Sequence, residues 1–162
     1  MVEARLLERL GEGFHKMKSN LIPTKRKGFT WDPTYIERTK EILEHLQKLT
    51  DNKKDISNKT VFFLCLSVGL KNDHKRPTPP RATDSARFES LQNYEFDLLR
   101  SVALSKTKNY MDVLEEDKLY DIIEQYAAGG LELLAFELDN RADFREFLVK
   151  ELFDYMKTFN QM

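Results

Sequence analysis

Residues 60–70 read TVFFLCLSVGL, the most apolar run of the chain, and whether that run is a strand or a helix decides the fold. It is hydrophobic on every side, so periodicity does not separate a buried strand from a central helix. Ser57 stands where a helix cap belongs, and the surroundings read as helices with no second convincing strand to pair with. The run is therefore expected to be a core helix. Phe62 and Cys65 are then packing residues.

Upstream, Asp32–Pro33 predicts a helix start, because the carboxylate can accept first-turn amides and proline at the first helical position loses no bond. Ile36, Ile42, Leu43, Leu46 and Leu49 form the apolar stripe of that helix, and TDNKKDISN ends it. Before it, LIPTKRKGFTWDP holds Pro23, Gly28 and Pro33 and reads as a basic linker. Val2 to about Ser19 is loosely amphipathic through Leu6, Leu7, Leu10, Phe14 and Met17, a helix that docks on something larger.

Downstream, residues 72–90 carry three prolines and Lys75, Arg76, Arg81 and Arg87, a long irregular connection of the kind that is often functional. Asn93 is expected to cap a helix bearing Phe96, Leu99, Val102 and Ala103, followed by a turn over 109–116. YDIIEQYAAGGLELLAFEL, residues 120–138, keeps a helical period through Gly129 and Gly130. Each interior glycine costs about 1 kcal/mol against alanine, so something gains from the missing side chains. The expected gain is close approach of another helix backbone, with Tyr126, Gly129 and Gly130 as the packing residues. The alternative is that Gly129 ends one helix and Leu131 starts the next. Asp139 or Asn140 is expected to cap a last helix striped by Phe144, Phe147, Leu148, Leu152, Tyr155, Met156 and Phe159.

These readings predict an all-α protein: one compact helical domain of about five to six helices with a long basic, proline-containing loop. Residues 1–31 are the N-terminal helix and linker, and 32–162 the helical core. At 162 residues the chain can bury a sizeable core without metal or disulfide. Cys65 is the only cysteine, which excludes the disulfide-stapled secreted class. No apolar run reaches membrane-spanning or signal-peptide length, so a soluble cytoplasmic protein is expected. The formal net charge of −1 hides an asymmetry: residues 1–81 hold 17 Lys and Arg against 10 Asp and Glu, and residues 82–162 hold 9 against 17. An anionic partner explains such a split; so do halves that attract each other, or ordinary solvated helix faces.

The catalytic inventory is thin. His15, His45 and His74 lie far apart and form no HExxH or HxH pair, and neither a phosphate-binding GxxxxGKS loop nor a GxSxG elbow occurs. Cys65 lies where burial makes a thiol inert. No catalytic residue, metal or cofactor is assigned. Asp117, Asp121 and Glu124 share a helical face and could bind a divalent cation, a spacing that ordinary solvated helices also show. The remaining constellation is basic: Lys25, Arg26 and Lys27 with Lys16 and Lys18, then Lys53 and Lys54, then Lys75, Arg76, Arg81 and Arg87 with Lys71. Such side chains on proline-rich loops can follow a phosphate backbone. Phe29 and Trp31 either stack on bases or staple the linker to the core.

Two stretches also resemble a known family. KTVFFLCLSVGLKNDHKRPTPPRATDSARFESL, residues 59–91, and YDIIEQYAAGGLELLAFEL, with Glu124, Tyr126, Ala127, Gly129, Gly130, Leu131 and Glu132, are similar to the small proteins associated with bacterial DNA phosphorothioation (Dnd) defence systems. LLRSVALSKTKNYMDVL between them resembles that family's helix and acidic turn. The likeness covers about residues 57–140. It implies a non-enzymatic accessory subunit of an anti-phage DNA modification or restriction system, partnered by larger protein subunits, with DNA contact and homo-oligomerisation open and no membrane. It transfers no catalytic residue. A stand-alone DNA-binding transcriptional regulator and a metal-dependent nuclease built on the three carboxylates are the alternatives.

Overall fold

A computed structural model describes residues 24–77, 83–107 and 115–159. The helix expected over residues 2–19, Lys16, Lys18, Arg81 and most of the turn after residue 108 lie outside them. Among the described residues the protein is mostly helical, with five helices and a two-stranded sheet. They form two compact units, one drawn from residues 28–90 and 124–162, the other from 1–27 and 91–123.

The first unit is organised around α2, Asn58–Lys71, so the apolar run is a helix. Ser57 N–H donates to Thr60 Oγ1 (3.2 Å) at its start, and Val61, Phe62, Cys65, Leu66 and Val68 are buried along it. Before it, Asp32 Oδ1 accepts from the Thr34 amide (3.0 Å) and hydroxyl (2.7 Å). Pro33–Tyr35 then makes one 3₁₀ turn, and α1 follows over Ile36–Gln47 with Ile42 and Leu46 inward.

The sequence reading contained no strand, and the structure has two. β1, Gly28–Trp31, lies inside the basic linker, and β2, Thr83–Arg87, lies inside the supposedly irregular connection. They pair antiparallel, Phe29 opposite Ala86 and Thr30 opposite Asp84, with Ser85 as the extra residue of a bulge. Phe29 is fully buried and Trp31 nearly so. The Phe29 ring stacks on Phe62 with centroids 4.6 Å apart and meets Phe88 edge-on at 5.1 Å, while Trp31 lies 5.4 Å from Phe62. Burying each of these rings contributes about 2–3 kcal/mol. The aromatic pair therefore staples the linker to the core and is not open to bases. TDSAR carries a single small apolar residue, so the strand conformation of β2 comes from pairing and not from its own pattern.

α4, Glu116–Asn140, is one continuous helix that passes through both glycines, so Gly129 does not end it. Its first two turns belong to the second unit and the remainder to the first. α5 spans Phe144–Phe159. Asp143, not Asp139 or Asn140, caps it, with Oδ1 accepting from Glu146 N (2.9 Å), because α4 continues to residue 140. Phe144 and Leu148 are buried. Phe144 receives the His45 ring at 5.3 Å, and Lys71 pairs with Glu151 at 2.7 Å.

In the second unit, α3 spans Asn93–Lys106 with Leu99 and Ala103 inward. Its cap is Gln92 and not Asn93: Glu95 Oε2 accepts from Gln92 N at 2.7 Å, because a glutamate three residues on can reach back to that amide. Leu119, Tyr120 and Ile123, which α4 contributes to this unit, are buried. No helix among the described residues is long and apolar enough to cross a membrane.

Candidate functional site at the glycine crossing

The best-defined constellation lies where α2 meets α4, at Gly69, Gly129 and Gly130. A Cβ built on Gly130 would stand 2.7 Å from the Cys65 carbonyl carbon and 2.7 Å from Gly69 N, with the Cys65 oxygen nearer still. One on Gly69 would stand 2.8 Å from the Tyr126 carbonyl carbon and 3.0 Å from Gly130 N. The two helix backbones touch here directly. Gly129 performs a separate task, since a Cβ there would lie 2.7 Å from the His74 carbonyl carbon. Cys65 is fully buried, and that burial pushes its thiol pKa well above the ordinary value.

The end of α2 brings the chain onto α4. His74 N–H donates to Gly69 O (2.9 Å) and Asp73 N–H to Leu70 O (3.2 Å), the paired bonds of a Schellman termination. Such an ending needs a left-handed residue, usually glycine, and here it is Asp73 with φ 47°. A left-handed residue with a Cβ costs roughly 1–2 kcal/mol, less for Asp and Asn. Asp73 brings a compensation that glycine lacks, because its Oδ1 accepts from the buried Tyr126 hydroxyl at 2.8 Å. Burial, then the Asp73 bond and charge, push the Tyr126 pKa up to about 12.

The next three residues lie along α4. His74 Nε2 is 2.8 Å from Glu132 Oε2, and Arg76 Nη1 pairs with Glu132 Oε1. Arg76 N–H donates to Gln125 O (2.9 Å), and its guanidinium also donates to Tyr35 Oη (2.9 Å) while lying over the Tyr35 ring. Lys75 is exposed, its Nζ 5.1 Å from the centre of the Tyr126 ring. Asp73–Arg76 is thus latched to one helix by side chains and backbone together. Of the residues singled out in the sequence, this place unites Lys75, Arg76, Tyr126, Gly129 and Gly130. Gly69, Asp73 and Tyr35 were not singled out in the sequence, and His74 and Glu132 were named there without a role at this place. Gly69 was legible in part, as the glycine of the other strongly apolar helix.

The carboxylate trio is divided. Arg26 pairs with Asp117 (Nε to Oδ1, 3.2 Å) and with Asp121, and Thr24 Oγ1 also donates to Asp117. Glu124, in the other unit, accepts from Thr30 N (3.0 Å) and Thr30 Oγ1 (3.2 Å) and so anchors β1. Among the described residues no group of three His, Cys, Asp or Glu could hold a metal ion. Arg26 and Arg76 are therefore engaged with carboxylates. Lys25 and Lys27 are exposed, as is Arg87, 3.5 Å from Glu89.

Beside Asp117, Glu116 is nearly buried and ionised. Burial alone would raise its pKa, but the Thr24 amide (2.9 Å), the Arg100 guanidinium and the Tyr120 hydroxyl (3.1 Å) together hold it below the ordinary value. Burial acts to lower the Arg100 pKa, and Glu116, Tyr120 and Asp97 together more than offset it. Arg100 Nε is buried without a hydrogen-bond partner among the described residues. Burial and the Glu116 charge push Tyr120 up to about 12.

No curated protein and no solved structure matches this chain. A family model does, described as DNA sulphur modification system-associated protein 4, over residues 36–161, which takes in α1 to α5, strand β2 and the whole glycine crossing. With more than half of its length matched, the chain belongs to the DNA sulphur modification system-associated protein 4 family.

Proposed function

We propose that this protein is a non-enzymatic accessory subunit of the DNA sulphur modification system, an adaptor that binds larger subunits of that system in phage defence and meets the DNA backbone through exposed cations. Family membership supports the association with the system. The observation that carries the adaptor reading is the commitment of the carboxylates. Asp117 and Asp121 neutralise Arg26, and Glu124 holds strand β1, so the groups a metal-dependent nuclease would need are spent on architecture. Arg26 and Arg76 fall out of the DNA-contacting set for the same reason, leaving among the described residues Lys25, Lys27, Lys75 and Arg87, whose contact with Glu89 is long (3.5 Å) and fully at the surface.

Affinity purification of the tagged chain from its native host tests the adaptor. Co-elution with larger modification-system subunits is expected, and recovery of the chain alone at low salt refutes the reading. For DNA, anisotropy titration of a duplex should show affinity falling with salt. Alanine at Lys25, Lys27, Lys75 and Arg87 should flatten the slope by about 0.9 for each phosphate that is no longer neutralised. Absence of binding at low salt removes the DNA contact from the proposal.

A further inference from the structure

The charge asymmetry of the sequence has a counterpart in the folded chain. Arg26, Arg38, Lys71 and Arg76 come from the basic half, residues 1–81, and each is paired with a carboxylate of the acidic half. Arg26 meets Asp117 and Asp121, Arg38 meets Asp139 at 2.6 Å, Lys71 meets Glu151 at 2.7 Å, and Arg76 meets Glu132. The second half thus does for these cations what an anionic partner would do. The contact at Arg26 stands apart because it falls inside a run of three cations, Lys25, Arg26 and Lys27. Lys25 and Lys27 are exposed, and Arg26 lies half-buried between them.

We infer that this contact is autoinhibitory: Asp117 and Asp121 hold the Arg26 guanidinium as stand-ins for a phosphodiester, and a DNA backbone drawn in by Lys25 and Lys27 displaces them. The inference rests on the DNA contact of the proposed function and adds to it a cation that the free chain withholds. Asp117 and Asp121 lie one turn apart on α4 and take two positions of a single guanidinium, Nε (3.2 Å) and Nη2, the fork that a phosphate would otherwise fill with two parallel bonds. Their side chains are 53% and 51% exposed. Ion pairs this open to water contribute little and are screened by salt, whereas a duplex presents one charge per about 1.7 Å of its axis, so the exchange favours the phosphate. The backbone does not have to move for it. Thr24 N–H donates to Glu116 Oε2 (2.9 Å), and Glu116 is itself nearly buried and paired with Arg100. Asp117 keeps the Thr24 hydroxyl as a donor once Arg26 has left. Only the Arg26 side chain swings out, to join the two exposed lysines on either side of it.

Anisotropy titration of a labelled duplex over a range of salt, with the full chain, tests this. A variant carrying both Asp117→Asn and Asp121→Asn should bind more tightly than the native chain. Its slope of log affinity against log salt should be steeper by about 0.9, the signature of one further phosphate neutralised. Adding Arg26→Ala to that pair should return the slope to the native value. Without DNA, trypsin should cut after Arg26 faster in the double variant than in the native chain. Asp121→Asn alone, which leaves the first turn of α4 untouched, should show the same changes at lower amplitude and keeps the test open if the double variant melts early. A native slope in the double variant, a gain that survives Arg26→Ala, or unchanged cleavage each overturns the inference while the DNA contact of the native chain stands. Binding by neither chain at low salt overturns both.

Discussion

Replacing Gly130 with alanine sets two effects of opposite sign against each other. Alanine in a helix interior is favoured over glycine by about 1 kcal/mol, so on propensity alone the variant gains stability. The crossing opposes this. The new methyl would lie 2.7 Å from the Cys65 carbonyl carbon and from Gly69 N, against about 3.5–4.0 Å for an ordinary carbon contact. Both obstacles are helix backbone, which gives way only if α2 and α4 separate by about 1 Å. A gap of that size forfeits a quarter to a half of the dispersion energy of the atoms it parts. The residues across that contact include Cys65 and Tyr126, both buried. Overpacking costs about 1–3 kcal/mol, occasionally more, and obstacles that are both rigid helix backbone put this site at about 3 kcal/mol, so a net loss of about 2 kcal/mol is expected after the propensity gain of about 1 kcal/mol. At this chain length that lowers the melting temperature by roughly 4–8 °C, read by circular dichroism at several scan rates. Gly129→Ala, whose obstacle is the His74 segment, should lose less, because a loop shifts more easily than a helix. A Gly130→Ala protein as stable as the native chain would refute the backbone contact, since propensity would then be the only effect in play.

Three further outcomes follow from the same geometry. Tyr126→Phe removes the bond to Asp73 and should cost about 1 kcal/mol; in that background Asp73→Gly, freed of its left-handed penalty, should be neutral or stabilising in urea unfolding, and a further loss would contradict the trade. Glu132→Gln keeps the shape but removes the charge shared by His74 and Arg76; these groups are partly exposed, so about 1 kcal/mol or less is expected, together with faster hydrogen exchange at the Arg76 amide. Unchanged exchange there would mean the latch does not depend on Glu132. Glu116 is held below the ordinary carboxylate value of 4.5 in the folded state, so its contribution is fully present above that pH and drains away as pH falls from there through its folded value. Urea midpoints followed downward from about pH 6 should show the native chain losing more stability than Glu116→Gln, whose parallel decline would argue against an ionised Glu116.

The helices were legible because their signals are local. Asp32–Pro33, Ser57 before an apolar run, and the unbroken period across 120–138 each act within a turn or two of backbone, and α1, α2 and α4 lie where those signals put them. Caps were read less well at α3 and α5, where Gln92 and Asp143 displace the more conspicuous asparagine and aspartate nearby. The strands were not legible. Four residues in β1 and five in β2 carry too short a pattern, and β2 is a strand because β1 pairs with it.

The candidate site divides in the same way. Gly129 and Gly130 stood out because a glycine pair inside a helix carries a cost that asks for a reason, and that cost is a property of the sequence. The glycine that answers them, Gly69, and the fact that Glu132 holds both His74 and Arg76 follow from how α2 ends over α4. Charge behaves likewise: the sequence determined how many cations and carboxylates there are and in which half they fall. Only the tertiary structure decided that Arg26 and Arg76 are engaged while Lys25, Lys27 and Lys75 stay exposed, because an ion pair depends on distance in space, and residues 26 and 117 become neighbours only once the chain has folded.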